Sequence, residues 1–585
     1  MSEKANRKDK VRAGFGMARM LKEYGIEHVF GIPDGHTLAF YDGLLRNDGI
    51  DHILFNDERS AAFAADAYAR VTGHIGVCDA GAAGSMNFPT AITEAEGFGS
   101  PVLAIVGIIK SREQLRNIPH DINVTDTLKA ITKWTGEVLD VEYLPRFMKF
   151  AINQAINGRP GPVGLVIAED VIASKDLRLK EYLPRPHGGS CSVNYCRVAP
   201  AENEIIEAVE MIRSAKQPVL FTGAEAVLSG AYAEVAELSK ILKAPVFSTI
   251  AGKGIMIQQD DQDNLYFGTV GLFGEKPNNK FIRRKADLVI TVGNRLTEDD
   301  TANFKYPKER VKMIQIDLDP AQIGLSYHPW GVVGDPKVSL AKMIKMLSSE
   351  GFVSLSANEQ GILSEREENI QYLKNKHQKY RKEDTARWID AEPIKPPRVL
   401  KAIADCLTED DYLVTDASAS SRWIGPYFPV KSLGRHIITP RGVGPTGFGV
   451  GALIGTCIAV ENSITTEKKP KVVLFTGDGG LMNGGINEFE TIHKLGLDCT
   501  IVVINNAALG FVKFGQAILY RRRYYDTDRP KTNFANIAKA FGGKGHNITQ
   551  LDDLDKIIKK AIGSKGFNLV NVMVDPEAYL PPSFY

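Results

Sequence analysis

The chain has almost no net charge. Its 71 Lys and Arg against 70 Asp and Glu leave a formal +1 over 585 residues, so no global field recruits nucleic acid or an anionic membrane surface. It has no apolar run long enough to span a bilayer. The opening segment, Met1-Ser2-Glu3-Lys4-Ala5-Asn6-Arg7-Lys8-Asp9-Lys10, is polar and lacks the apolar stretch of a secretory signal. Cysteine is scarce: six residues, at 78, 191, 196, 406, 457 and 499, none in a CxxC pair. Cys78, Cys457 and Cys499 lie in apolar segments and read as small core residues. A reducing cytoplasm is the compartment this usage suggests. No short-period repeat is visible, which sets solenoid architectures aside. What remains is the profile of a soluble globular protein, 44% hydrophobic and 24% charged. It is too long for one core and suits two to four domains.

Three α/β blocks are predicted, each a doubly wound parallel sheet. The first, residues 1–180, carries strand candidates at Val29–Ile32, Ile53–Phe55, Ile75–Ala80, Val102–Gly107 and Val163–Ala168, with helical patterns between them. A Pro- and Gly-rich break at about 176–200 follows. The second block, 200–350, contains runs beginning at Pro218, Pro245, Asp287 and Met313. Residues 351–392 form a highly charged stretch, read as a solvated connecting helix over roughly 365–387. The third block spans 393–585.

The most informative segment lies in the third block. Val472-Val473-Leu474-Phe475 reads as a buried strand and ends in Thr476-Gly477-Asp478-Gly479-Gly480. Ile501-Val502-Val503-Ile504 reads as another and ends in Asn505-Asn506, 27 and 28 residues after Asp478. Both deliver polar groups to the edge of a sheet where ligands bind in open α/β folds. Asp478 offers an anionic oxygen and Asn506 a neutral one, a set that suits Mg²⁺ holding phosphate oxygens. Gly477, Gly479 and Gly480 let backbone N–H groups approach an anion. Two ordinary strand-to-helix turns would look the same one at a time; the pairing favours the metal and diphosphate reading.

The order of the blocks and their junction sequences resemble the acetolactate synthase-like branch of the thiamine-diphosphate enzymes, over about 11–580. The resemblance implies that block one binds the aminopyrimidine of the cofactor and block three of a second subunit its diphosphate. It therefore implies a homo-oligomer, a dimer of active sites and possibly a homotetramer. Asn56-Asp57-Glu58-Arg59-Ser60-Ala61-Ala62 looks like the family's glutamate segment. Glu58 is then the carboxyl group that exchanges a proton with the pyrimidine ring, with Asp57 as the alternative. Seen alone, Glu58 is an acid at a helix start. Arg441 to Gly449 resembles the segment that bends the cofactor, with the Gly444 carbonyl accepting from the 4′-amino group. Thr446 is the wedge there, where a methionine is usual. Ser418 and Ser420 stand where related synthases carry glycine and histidine, and are expected at the diphosphate. Metal ligands are expected to be Asp478, Asn506 and the Ala508 carbonyl, with Asn505 as the register alternative; Leu509 is expected beside the cofactor.

Two histidines depart from the synthase pattern. His36, after the first strand, matches the place of a histidine in benzaldehyde lyase-like members. His120 stands where glutamine is usual. Each alone is an ordinary loop residue. Together at cofactor-facing positions they suggest proton transfer, with Asp34 and Asp121 as orienting groups. The substrate pocket is expected around Phe511 and Gly515, the latter replacing a common tryptophan, while Arg521-Arg522-Arg523 suggests either a solvated face or an anionic substrate. Gly252-Lys253-Gly254 and Gly293-Asn294-Arg295 resemble segments that hold FAD in acetolactate synthase, which makes FAD a possible further cofactor. The overall expectation is a cytoplasmic, Mg²⁺- and thiamine-diphosphate-dependent carboligase or lyase. Its expected partners are a 2-oxo acid, hydroxyketone or aldehyde, with no nucleic acid and no membrane. The rivals are a decarboxylase, a pyruvate oxidase-like flavoenzyme and a regulatory scaffold; intact Glu58, Asp478 and Asn506 argue against the last.

Overall fold

The computed structural model of the protein describes residues 10–178, 196–259, 263–349, 357–461 and 469–578. Most of the proline- and glycine-rich break, the polar amino terminus and Cys191 lie outside the described residues.

Each block builds a six-stranded parallel sheet. The first contains β1 (His28–Gly31), β2 (Asp51–Leu54), β3 (Gly76–Gly81), β4 (Val102–Ile108), β5 (Trp134–Val138) and β6 (Val163–Ala168), in the order β2-β1-β3-β4-β6-β5. All residues of β3, β4 and β6 are buried, as expected of strands covered on both faces. The second sheet has β7 (Pro218–Thr222), β8 (Val246–Ser248), β9 (Tyr266–Thr269), β10 (Leu288–Val292), β11 (Lys312–Asp317) and β12 (Trp330–Val333). Their order, β9-β8-β7-β10-β11-β12, is that of a dinucleotide-binding fold. The third sheet has β13 (Tyr412–Thr415), β14 (Ile437–Ile438), β15 (Val472–Gly477), β16 (Cys499–Asn505), β17 (Lys544–Ile548) and β18 (Phe567–Met573), ordered β14-β13-β15-β16-β18-β17. Blocks one and three thus share one strand order. The sheet class is the one the sequence predicts; the edge strands β5, β9, β12, β14 and β17 and the interior strand β18 are additions to it.

Blocks one and three are joined by a close helix pair, Glu58–Thr72 against Phe448–Glu461. A side chain at Gly451 would meet the Ser60 carbonyl at 2.5 Å and one at Gly455 the Ala64 carbonyl at 2.1 Å, so only glycine allows this approach. Below it, buried Arg70 holds Asp66 (Nε–Oδ1 2.8 Å), Glu94 (3.0 Å) and the Thr439 carbonyl (2.8 Å). Glu94 in turn accepts from the backbone N–H of Gly442, Val443 and Gly444 at 2.8–3.0 Å. Burial pushes the Asp66 carboxyl up despite Arg70, and the network as a whole leaves these charges paired and hydrogen-bonded.

The charged stretch is not merely a solvated connector. It forms the helix Ala357–Thr385, and one face packs on the central block: Ile370 and Leu373 join its core. Arg366 satisfies the carbonyls of Lys216, Leu242 and Ala215. A charge-rich composition hides such a face, because a buried guanidinium with three acceptors is indistinguishable in sequence from an exposed one.

Candidate active site

At the carboxyl edge of the third sheet, β15 and β16 end side by side, Gly477 opposite Ile504. Between their ends lies a cavity of about 150 Å³, lined among others by Ser418, Thr446, Asp478, Asn506, Leu509 and Phe511. Gly477, Gly479, Gly480, Ser420 and Ala508 also line it. Asp478 opens a short helix directly after β15. It is 4% exposed, and burial pushes its carboxyl up to about 6. A buried carboxylate of this kind is stabilised in its ionised form by a divalent cation.

The two asparagines after β16 face different ways. Asn505 is fully buried away from the cavity, its amide donating to the Thr532 carbonyl (2.9 Å) and to Asn571 (3.0 Å). Asn506 lines the cavity, and its amide oxygen accepts from the Ala508 N–H at 3.2 Å. The Ala508 segment is held by an antiparallel bridge to Asp528 and by Leu509 N–H to the Thr527 carbonyl (2.8 Å). The Asp478 carboxylate, the Asn506 amide oxygen and the Ala508 carbonyl would offer only hard oxygen donors, the chemistry that Mg²⁺ takes. Among the described residues no cluster of three or more His, Cys, Asp or Glu is placed to hold a metal ion.

Ser418 adopts φ +64° and ψ −138°, a conformation costing a non-glycine residue about 1–3 kcal/mol. It is the backbone that a glycine would adopt freely, and it turns the chain into the cavity wall. Ser420 differs from expectation: its hydroxyl donates to the Asp416 and Ala417 carbonyls (3.0 and 2.6 Å). It works as a local backbone cap, since serine at a helix start finds its nearest acceptors there, and is not a free phosphate donor. Buried Asp416 accepts from the N–H of Ala417, Gly447 and Gly449, tying the turn after β13 to the glycine-rich segment. That anchoring residue was not singled out from the sequence, although it opens the segment that was. Thr446 faces the cavity, and its carbonyl accepts from Asn483 at 2.7 Å. Gly444, at φ +74°, lies outside the lining.

Three matches with known proteins decide the family. The N-terminal TPP binding domain of thiamine pyrophosphate enzymes matches residues 11–129, the central domain 205–343, and the C-terminal TPP binding domain 416–572. The chain belongs to the thiamine pyrophosphate enzyme family. It is similar along its length to acetolactate synthase large subunits. With the probable large subunit of Methanococcus aeolicus it shares 29% identity over 583 residues, 96% of this chain and 92% of the relative. With that of Methanocaldococcus jannaschii it shares 29% over 581 residues, 98% and 93%. With the isozyme 2 large subunit of Escherichia coli (strain K12) it shares 28% over 569 residues, 95% and 94%. It is a thiamine-diphosphate-dependent, acetolactate synthase-like enzyme.

In this thiamine pyrophosphate enzyme Glu58 begins the helix after β2. Asp57 is its N-cap, accepting from the Arg59 N–H (2.8 Å) and pairing with the Arg59 guanidinium (3.2 Å). Asp57 is thereby committed to the backbone and to Arg59. The Glu58 carboxyl accepts from Asn87 at 2.9 Å and lies against Gly84, where a Cβ would meet it at 2.3 Å. Within one chain Glu58 is not part of the cavity lining.

His36 and His120 come together, with Nε2 of the first 3.3 Å from Nδ1 of the second and the rings edge-on. The orienting acids differ from expectation. Asp34 caps the turn through the His36 N–H (2.9 Å), and Asp121 accepts from the Leu115 N–H (2.7 Å). The His36 ring is held instead by Glu169, Nδ1 to Oε2 3.2 Å, a contact 133 residues distant in sequence that no local pattern announces. Phe511 lines the cavity beneath the Arg422 guanidinium, 4.2 Å from its ring. A side chain at Gly515 would meet nothing within 4 Å. Arg521, Arg522 and Arg523 are exposed and outside the lining.

The carboxyl edge of the central sheet brings two buried acids together. Glu225, just after β7, pairs with Arg159 at 2.9 Å, and the facing Asp317 carboxyl at the end of β11 is pushed up to about 8 by burial and by Glu225. Lys253 is buried and donates to the Gly425 carbonyl (3.0 Å), a tie to the third block.

Proposed function

We propose that the protein is a Mg²⁺-dependent carboligase or lyase that makes or breaks a carbon–carbon bond beside the carbonyl of a 2-oxo acid or 2-hydroxyketone, with an aldehyde or ketone as acceptor. The observation that carries this reading is the oxygen donor set of Asp478, Asn506 and the Ala508 carbonyl over the Gly477–Gly480 turn. Those residues would hold Mg²⁺ and the diphosphate, with Ser418 and Leu509 at the wall. When bound, thiamine diphosphate supplies the nucleophilic carbon and the electron sink.

The chain's own residues do the rest. Glu58 would hold a proton at the pyrimidine side of the cofactor, the Gly444 carbonyl would be a hydrogen-bond acceptor there, and Thr446 would pack against it. His36 and His120 move protons to and from the substrate oxygens, an effect of about 10²–10⁴-fold for well-placed groups. Phe511 and the open space at Gly515 receive the acceptor. A benzaldehyde lyase-type cleavage is the second reading, favoured by the paired histidines and by that space.

The site is completed by a second copy of the chain. Glu58 stands outside the cavity of its own chain, and the helix Gly510–Leu519 beside the cavity has no buried residue and exposes Val512, Ile518 and Leu519. A dimer or a tetramer of such pairs follows. The described helices include none long and apolar enough to cross a membrane, and the free cysteines suit a reducing cytoplasm. The domain limits proposed are 1–180, 200–350, 351–392 and 393–585. The deciding experiment is a mass-spectrometric product screen with cofactor and Mg²⁺, crossing 2-oxo acids and acyloins against aldehydes. A new carbon–carbon product or a cleaved acyloin is the expected result; no turnover of any pair contradicts the reading.

A further inference from the structure

The contact that holds His36 has a direction. Three chain segments meet at the carboxyl edge of the first sheet: the turn Gly35–Thr37 after β1, Lys110 after β4, and Glu169 after β6. Gly107 makes room for the first of them, since a Cβ there would meet Thr37 Cγ2 at 2.6 Å and His36 Cβ at 3.2 Å. The backbone of His36 is pinned by Asp34, so its ring is steered by what the side chain meets. On one side it meets Glu169 Oε2 at 3.2 Å; on the other, His120 Nδ1 at 3.3 Å. Lys110 Nζ lies 3.8 Å from the second Glu169 oxygen and supplies a countercharge. His120 holds its place at φ +72°, a left-handed backbone that a non-glycine residue adopts only when its surroundings fix it.

These contacts leave one arrangement of protons when both rings are neutral. An ionised carboxylate only accepts, so His36 carries its hydrogen on Nδ1. Its Nε2 then bears the lone pair and accepts from His120, which must carry its hydrogen on Nδ1 as well. The free lone pair is left on Nε2 of His120, an exposed residue. We propose that Glu169 is a positioning residue that orders the relay Glu169–His36–His120, and that its working atom is Nε2 of His120. A proton taken up there makes the His120 ring an imidazolium whose Nδ1–H stays donated to His36 Nε2, while His36 Nδ1–H stays on the Glu169 carboxylate, which remains ionised and steadies the charge through His36. No electrons are transferred, and the reverse step returns the proton. This assignment rests on the proton-transfer role proposed above for the two histidines, and it separates them into a relay and a terminal base.

The test begins on the cofactor-free protein, with ¹⁵N-labelled histidine and long-range ¹H–¹⁵N spectra that report which ring nitrogen carries hydrogen. Both rings are expected as Nδ1–H tautomers in the parent. Glu169→Ala is expected to return His36 to the Nε2–H form that water favours. A parent His36 already in the Nε2–H form, or one unmoved by Glu169→Ala, overturns the proposal. Glu169→Gln keeps an acceptor but removes the charge. On the substrate found by the product screen, it is expected to lower kcat by about 10–100-fold, within the range of general acid–base effects, with calorimetric cofactor affinity within about twofold. Glu169→Asp is expected to recover part of that loss. Unchanged kcat in Glu169→Gln overturns the proposal even where Glu169→Ala fails to fold. Because the spectra need neither cofactor nor substrate, they stand or fall apart from the proposed reaction.

Discussion

Single side chains carry the chemistry through what surrounds them. Glu58 and Asp57 are neighbours with different fates, because the N-cap position commits Asp57 to the backbone, while the Glu58 carboxyl accepts from Asn87. Glu58→Gln is therefore expected to bind thiamine diphosphate measurably yet slow exchange of its thiazolium C2 proton by at least 100-fold, in line with the loss of one acid–base group. Exchange at the parent rate by NMR would remove Glu58 from its proposed role. Asp478→Ala removes the only carboxylate of the donor set. Calorimetry is expected to show the Mg²⁺-dependent part of cofactor affinity lost; unchanged affinity would dismiss the metal site. Much of this was legible in the residues, since Asp478 and Asn506 announce themselves by closing two apolar runs. Glu169 and Asp416 were not legible, because each acts on partners that only the folded sheet edge brings near.

Turns and strands set the frame for those side chains. The apolar runs of β3, β4, β6, β15 and β16 stand out in sequence because both their faces are buried. β5 and β17 are edge strands with polar positions, Lys544-Gly545-His546-Asn547 for example, and lose that signal. β18 is interior yet interrupted by buried Asn568 and Asn571, whose amide NH2 groups donate to the Gly566 carbonyl (2.9 Å) and to Asn547 (3.0 Å). The turn after β13 stores strain at Ser418. Ser418→Gly is expected to stabilise the protein by about 1 kcal/mol; a destabilisation in denaturant titration would show that the hydroxyl outweighs the backbone cost.

At the scale of the whole molecule, the first and third blocks meet through ionisable groups whose state depends on that contact. Glu488, fully buried, accepts from the Asn56 N–H and from Thr491. Burial, aided by the nearby Asp57, pushes its carboxyl up to about 7 from 4.5. The folded state thus holds a proton that the unfolded chain releases between those values. Its stabilising contribution is full below about pH 4.5 and is lost as pH rises through about 7. Denaturation of Glu488→Gln, followed across that window, is expected to lack this downward slope; a slope equal to the parent's would assign it elsewhere. The three-sheet architecture was readable from the alternation of strands and helices. The shared strand order of blocks one and three was not, since order within a sheet leaves no mark on a single sequence.

The central claim is that the acid of one copy serves the cation site of another. Its most direct test is complementation between Glu58→Gln and Asp478→Ala, co-expressed with different tags and purified as the mixed pair. In that pair one site carries both changes and the other carries neither. Thiazolium C2 exchange is expected at the parent rate in one site of each pair, about half the parent signal overall. A mixed pair no faster than either variant alone would contradict the account.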